Sequence, residues 1–335
     1  MKELILAKLT IAIPTFNRLD QLRSQIDSLC TQSKIDEVEV FISNNGSSDN
    51  TSGYLRSLKD KTPFTLRYQS HSENLGFDAN ILSLYREIQT PYVWFLSDDD
   101  RLIPGAIERI LEILKDQNPA VIYPNLLDEL TKKTQVLDGQ LIDISIRPTG
   151  HKVSISTGFW SVNNPVKRMV CARLCSFISC CIVRVNKSYL PNLGVFVGTG
   201  ILQDAILSLA LQEQESAYIC EEGLVYGGGK PNFSKWFMES TLFGVATLYS
   251  NPLLNYPIYL SKSLGIHTAQ FALEILKKYY RGQMVKVHYK LGYRELGRLM
   301  RQYQLDFIYL LPLIAKCIFR KWLMQARSIT HSMRV

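Results

Sequence analysis

Three carboxylates in a row, Asp98, Asp99 and Asp100, end the apolar run Tyr92 to Leu96 and Ser97, and Arg101-Leu102-Ile103-Pro104-Gly105 follows them. Adjacent carboxylates make one another harder to ionise unless a cation neutralises them. Mg2+ or Mn2+, hard ions that take oxygen ligands and keep substrate phosphates in their shell, are the natural partners of such a cluster. The plain alternative is a solvated acidic turn that caps the next helix. A further carboxylate, Asp204, lies in Gly198-Thr199-Gly200-Ile201-Leu202-Gln203-Asp204-Ala205, at a helix start after a Gly-rich turn. Its plain reading is an acid stabilised by the helix dipole. The five histidines, His71, His151, His267, His288 and His331, are scattered without ligand spacing, and none is read as catalytic. Trp160, Trp236 and Phe237 have the chemistry to stack on a sugar ring, although such aromatics are more often core.

The elements that must position these groups are legible in the hydrophobic pattern. Residues 9 to 13 and 38 to 42 read as short strands, and between them Leu22, Ile26 and Leu29 give Leu19 to Gln32 a helical spacing. A third strand is expected over Leu66 to Gln69, a helix from about Phe77 to Glu87, and a buried strand over Tyr92 to Leu96. After Pro104-Gly105, Ile107, Ile110, Leu111 and Leu114 mark one face of a helix over Ala106 to Lys115, and a strand begins at Ala120 to Tyr123. Leu126 to Pro165 reads as loop and edge strand. Cys175 to Val185 reads as a strand, a helix starts near Gln203, and a last strand runs from about Ala217 to Val225. Alternating strands and helices imply an α/β fold with a mostly parallel sheet covered on both faces. Ligands of such sheets bind at the carboxyl ends of the strands, which is where the acidic run falls.

Four segments lie at four successive strand ends: Ile11-Ala12-Ile13-Pro14-Thr15-Phe16-Asn17-Arg18, Ile42-Ser43-Asn44-Asn45-Gly46-Ser47-Ser48-Asp49-Asn50-Thr51, Asn74-Leu75-Gly76-Phe77-Asp78, and Phe95-Leu96-Ser97-Asp98-Asp99-Asp100. In this order and spacing they resemble family 2 glycosyltransferases of the GT-A fold, closely over about residues 8 to 125 and more loosely over 170 to 230. The wording is most similar to the abequosyltransferase-type branch of bacterial polysaccharide enzymes. The resemblance implies a Rossmann-like nucleotide-diphospho-sugar transferase that moves a sugar, with inversion, from a nucleotide diphosphate to a hydroxyl in O-antigen or other surface polysaccharide synthesis. It places Pro14, Thr15 and Arg18 in the loop around the nucleotide, Asp98 at the ribose or metal-water position, and Asp99 as direct ligand of Mn2+ or Mg2+. Asp100 then stands behind the metal or as a cap. Asn44 falls where the family commonly has an Asp reading the pyrimidine base. An amide both donates and accepts, so UDP, dTDP and CDP sugars all stay open as donors. Asp204 matches the general base position, with Glu221 and Glu222 in reserve, and Gly227-Gly228-Gly229 is either a loop closing on the diphosphate or a connector. Beyond Asn44, the second segment reads as a turn in which Asp49 or Thr51 caps the next helix.

Of the 335 residues, 46% are hydrophobic and 20% charged, a composition able to bury a real core. Seven cysteines, an odd number with four crowded into apolar sequence, suit reduced core thiols better than disulfides or zinc. The chain after Tyr256 holds fourteen Lys or Arg against three acidic residues and accounts for more than the whole net charge of +8. Strand signals vanish after Phe233, so a catalytic domain is expected over 1–235 and a basic, amphipathic helical region over 236–335. Asp306 to Met324 in that region is apolar, flanked by Lys316, Arg320, Lys321 and Trp322, and too short and interrupted to span a bilayer. It suits the interface of an anionic membrane better than nucleic acid, with a core helical hairpin as the alternative. No signal-peptide pattern opens the chain. The expected setting is thus cytoplasmic, peripheral to the inner face of the plasma membrane, with a polyprenyl-diphosphate-linked oligosaccharide as acceptor. Competing readings are a nucleotidyltransferase, which usually shows a Gly-rich phosphate loop after the first strand, and a nucleotide-sugar-binding protein that transfers nothing.

Overall fold

The computed structural model describes residues 7–58, 60–127, 134, 141–143, 152–175, 177–226, 248–249 and 251–257. The chain divides into two compact units, residues 1–232 with 251–256, and residues 233–250 with 257–335. Nearly all of the second unit, including the basic segment around Asp306 to Met324, lies outside the described residues, as do Gly227-Gly228-Gly229, Trp236, Phe237, His151, His267, His288 and His331.

The first unit opens with β1 (Leu9–Thr15), α1 (Leu19–Cys30), β2 (Glu39–Asn44), α2 (Thr51–Ser57), β3 (Thr65–Ser70), α3 (Phe77–Glu87) and β4 (Tyr92–Phe95). It continues through β5 (Arg101–Leu102), α4 (Ala106–Asp116), β6 (Val121–Tyr123), β7 (Leu126–Leu127), β8 (Leu141–Asp143), β9 (Lys152–Ser154) and β10 (Gly158–Ser161). Then come α5 (Pro165–Leu174), β11 (Cys181–Arg184), α6 (Leu190–Leu193), α7 (Leu202–Glu213), β12 (Ser216–Ile219) and β13 (Val225–Tyr226). The principal sheet has eight strands in the order β10-β12-β6-β11-β4-β1-β2-β3. β4, β1, β2 and β3 are mutually parallel, β6 and β12 are parallel, and β11 runs against both of its neighbours, as β10 does against β12. The sheet is thus mixed in one half.

β1 sits between two parallel neighbours, and Leu9, Ile11, Ala12 and Ile13 are all fully buried, the near-continuous apolar run expected of a strand covered on both faces. β3 is the edge, and its residues are half-buried or exposed, none fully buried. In α1 the buried stripe is Leu22, Gln25, Ile26 and Leu29. In α4 it is Ile107, Ile110, Ile113 and Leu114, with Leu111 packed partly against the same core. Trp94 is fully buried, and its indole N–H donates to Ser179 O at 2.8 Å, so the largest core side chain leaves no polar atom unpaired.

Three sequence expectations differ from the fold. The strand expected over Cys175 to Val185 contracts to Cys181–Arg184, because a 3-10 turn, Ile178–Cys180, occupies its start. The stretch expected as loop and edge strand up to Pro165 does end in an edge strand, β10, but a helix, α5, follows it where none is expected. Asn164 caps α5 by accepting the Lys167 amide at 2.9 Å, with Pro165 in the first turn. The strand expected over Ala217 to Val225 is two strands in two sheets, since β13 pairs with β5 and β7 instead of extending β12. Trp160 is core, 4% exposed.

Candidate active site

β1, β2 and β4 end on one edge of the sheet, and their last residues carry the polar groups. Thr15 closes β1 and donates its hydroxyl to Asp98 Oδ2 at 2.8 Å. Arg18, at the head of α1, donates through one nitrogen, Nη1, to Asp98 Oδ1 at 3.0 Å and to Asp99 Oδ2 at 2.8 Å. Ser97 Oγ donates to Asp99 Oδ1 at 2.5 Å. Asp98 is buried, with a side chain 5% exposed, against 33% for Asp99 and 45% for Arg18. Burial pushes the Asp98 carboxyl up to about 6, and the Asp99 charge adds to that, against the Thr15 hydroxyl and Arg18, which pull it down. Arg18 is held above its ordinary value by the two carboxylates, which outweigh the opposing effect of burial.

Asp100 does not join this pair. Its carboxylate is 2% exposed and accepts the Ser179 hydroxyl at 2.5 Å, while the same hydroxyl oxygen accepts the Ser97 amide at 2.9 Å. The sequence groups three acids; the structure turns two toward Arg18 and one into the base of β11. Ser179 carries no sequence signal for that role, because the 3-10 turn that delivers it replaces an expected strand.

The loop after β2 is a closed scaffold. Asn44 is 1% exposed. Its Oδ1 accepts the Ser47 amide at 3.1 Å, and its Nδ2 donates to Ser52 Oγ at 2.8 Å and, at the limit of a hydrogen bond, to Ser70 Oγ at 3.5 Å. Gly46 has φ +70°, and a Cβ there would lie 2.3 Å from the Glu73 carbonyl carbon, so only glycine lets this loop meet the one before α3. Asp49 Oδ1 accepts the amide and hydroxyl of Thr51, and its Oδ2 accepts the Leu19 amide at 3.1 Å, so one carboxylate serves the starts of both α2 and α1. Asn17 Oδ1 accepts the Ser48 amide at 2.8 Å, tying the same loop to the residue before Arg18. Pro14, in β1, pairs in register with Ser43 and is half-buried.

Asp204 is carried by a different element, α7. It lies in the first turn of α7, is fully buried, and faces Arg173 of α5 at 3.0 Å. Arg173 had no sequence signal, since the helix carrying it was not expected. Glu221 and Glu222 are exposed, and Glu222 is paired with Arg109 of α4 at 2.9 Å.

Among the described residues no group of three His, Cys, Asp or Glu side chains is placed to hold a metal ion as an all-protein cage. The Asp98 and Asp99 carboxylates nevertheless fit Mg2+ or Mn2+, which are held by one or two carboxylates and complete their shell with substrate phosphates and water. Asp99, one-third exposed, is the more open of the two carboxylates, its oxygens now accepting Arg18 and Ser97.

An acidic pair at the end of β4, an arginine at the head of α1 and a polar loop at the end of β2 thus lie on one edge of the sheet, and solved structures that superpose on the chain give the fold as GT-A. The *S. aureus* TarS 1-349 structure in complex with UDP superposes with a TM-score of 0.53 over 93% of this chain and 87% of that one, at 13% identity. Mannosyltransferase PcManGT from *Pyrobaculum calidifontis*, in complex with GDP-Man and Mn2+, superposes with 0.53 over 96% and 86%, also at 13%. Residues 10–166 match the glycosyl transferase family 2 domain, and the chain carries a domain of that family. It is 29% identical over 110 residues to abequosyltransferase RfbV of *Salmonella typhimurium*, covering 32% of this chain and 33% of the relative. It is 27% identical over 122 residues to the GalNAc(5)-diNAcBac-PP-undecaprenol beta-1,3-glucosyltransferase of *Campylobacter jejuni*, covering 36% and 39%. The matched region thus spans between about a third and two fifths of these relatives' own length.

Proposed function

We propose that this chain is a metal-dependent, inverting glycosyltransferase that moves a sugar from a nucleoside diphosphate to a hydroxyl of a lipid-linked oligosaccharide in bacterial surface polysaccharide synthesis. The observation that carries the reading is Arg18 held between Asp98 and Asp99 at the carboxyl edge of the sheet. Asp99 and Asp98 would hold Mn2+ or Mg2+, whose chemistry is to offset charge on the departing diphosphate. Arg18, half exposed and bonded through Nη1 to both carboxylates, keeps its other guanidinium nitrogens to offer to phosphate oxygens, and Pro14 and Thr15 end β1 beside it, Thr15 on the same Asp98. Asn44 spends its amide hydrogens on Ser52 and Ser70 and one lone pair of Oδ1 on Ser47. At 1% exposed and bonded within its own loop and to the next strand, Asn44 serves the scaffold and does not rank the pyrimidines. UDP, dTDP and CDP sugars all stay open as donors. Support for the acceptor comes from the undecaprenol-linked substrate in the name of the *C. jejuni* relative.

Asp204 is the proposed base. For it to take the acceptor's proton, Arg173 has to release it, since a carboxylate in that pair is both buried and stabilised in its charged form. The same burial favours a second reading, a nucleotide-sugar-binding protein without transfer. We assign the catalytic unit to residues 1–235 and the basic region 236–335 to an anionic membrane surface on the cytoplasmic side.

The test is a thermal-shift screen of UDP, dTDP, CDP and GDP sugars with and without Mn2+, followed by turnover of the best donor, since a ligand of the native state raises its apparent stability. Asp99→Ala should keep the fold and lose the metal-dependent shift and turnover. Normal turnover by that variant would refute the metal assignment, and donor binding without turnover under any condition would favour the second reading.

A further inference from the structure

Asp78 links the two sides of the proposed site. It is the second residue of α3 and 4% exposed. Its Oδ2 accepts the amides of Gly198 at 2.8 Å and Gly200 at 2.6 Å, and its Oδ1 accepts that of Leu202 at 3.1 Å. The two intervening amides have partners within the turn: Thr199 N–H donates to Phe196 O at 3.2 Å and Ile201 N–H to Thr199 Oγ1 at 3.3 Å. Every amide from 198 to 202 is thereby satisfied, three of them by one carboxylate 120 or more residues away. Gly198 and Gly200 have φ of +96° and +75°. Such alternation of backbone sense turns successive amides toward one anion, as in the concave nests that bind phosphate or carboxylate groups. Helix α7, which begins at Leu202, has no capping side chain of its own. Asp78 is its cap.

The other face of this junction reaches the loop after β2. Asn45 Oδ1 accepts the Leu75 amide at 2.9 Å, its Nδ2 donates to Asn74 Oδ1 at 2.9 Å, and Ser43 Oγ donates to Asn80 Oδ1 at 2.5 Å. The start of α3 is thus fastened to the scaffold that also holds Asn17, next to Arg18, and through Asp78 to the turn that leads into Asp204.

We propose that Asp78 is a positioning residue: by gripping residues 198–202 it sets where α7, and with it Asp204, stands relative to the Asp98, Asp99 and Arg18 cluster, without touching a reacting group itself. The proposal rests on the transferase reading above. Asparagine at this position keeps one acceptor oxygen and points an N–H2 group at amides that can only donate.

The test compares the full wild-type chain with Asp78→Asn by amide hydrogen exchange and by steady-state kinetics with the donor from the nucleotide-sugar screen. Exchange of residues 196–204 should accelerate by about tenfold or more while β1 and β4 keep their protection. The kcat should fall about 10- to 100-fold with donor KM within about threefold, the signature of misplaced groups rather than weakened binding. Should Asp78→Asn fail to fold, Gly200→Ala strains the same turn from its other side and should give the same exchange and kcat pattern. Unchanged exchange at 196–204, faster exchange with unchanged kcat, or a loss confined to KM would each overturn the proposal. A wild-type chain that transfers nothing ends the transferase reading and this role with it. Exchange, which needs no substrate, still shows in that case whether Asp78 holds the turn.

Discussion

At the residue scale, the acidic run divides its labour by burial. Asp98 binds its proton more tightly in the folded chain than in the unfolded one, because its carboxyl is pushed up to about 6 from a usual value near 3.8. Its contribution to stability is therefore fully present below that usual value and is lost as the pH rises through about 6. In the presence of a chelator, the melting temperature of the wild-type chain should drop relative to Asp98→Asn between pH 4 and 7, and a constant difference across that range would contradict the burial argument. Asp204 calls for a different measurement. Asp204→Asn should leave donor affinity within about threefold and reduce transfer by about 10²- to 10⁴-fold, the usual worth of a general base. If donor affinity falls as far as transfer, the residue is structural. Asp98 and Asp99 could be singled out from the sequence because a run of acids at a strand end is chemically unusual wherever it occurs, whereas Arg18 is reached only through the family resemblance. Asp78 and Ser179 could not, since each is an ordinary residue given its task by a partner about 80 to 120 positions along the chain.

At the scale of elements, the first half of the fold was readable and the second only in outline. β1 to α4 alternate regularly, their apolar stripes are clean, and turn residues close each strand, so periodicity and punctuation agree. β11 departs from that regularity by inserting in reverse between β4 and β6, and nothing in a short apolar run reveals its direction. Helix α5 was missed for a related reason. Arg168, Met169, Val170, Cys171 and Ala172 are all buried in succession, which leaves no amphipathic contrast to detect. Its start was nevertheless announced by Asn164-Pro165. Asn164→Ala should remove the cap on Lys167 and cost about 1 kcal/mol, seen as a drop in the urea midpoint with an unchanged m-value. A shift indistinguishable from zero would mean that Pro165 alone sets the helix start.

At the scale of the whole molecule, charge separates the chain more sharply than hydrophobicity does. The excess of Lys and Arg after Tyr256 belongs to residues outside those described, and among the described residues no helix is long and apolar enough to cross a membrane. If the basic region lies on anionic lipid, the full chain should float with vesicles containing phosphatidylglycerol and a chain ending at Leu253 should not, with binding that weakens as salt screens the attraction. Equal, negligible flotation of both would remove the membrane assignment. The cap that α3 lends to α7 also has a consequence for how the molecule assembles. Asp78 leaves the ribosome more than a hundred residues before the amides it must meet, and until they arrive its carboxylate has to stay hydrated. The opening turn of α7 therefore cannot settle early. It closes only when distant parts of the chain have come together, which makes it one of the later events of folding and one of the first places to open under stress.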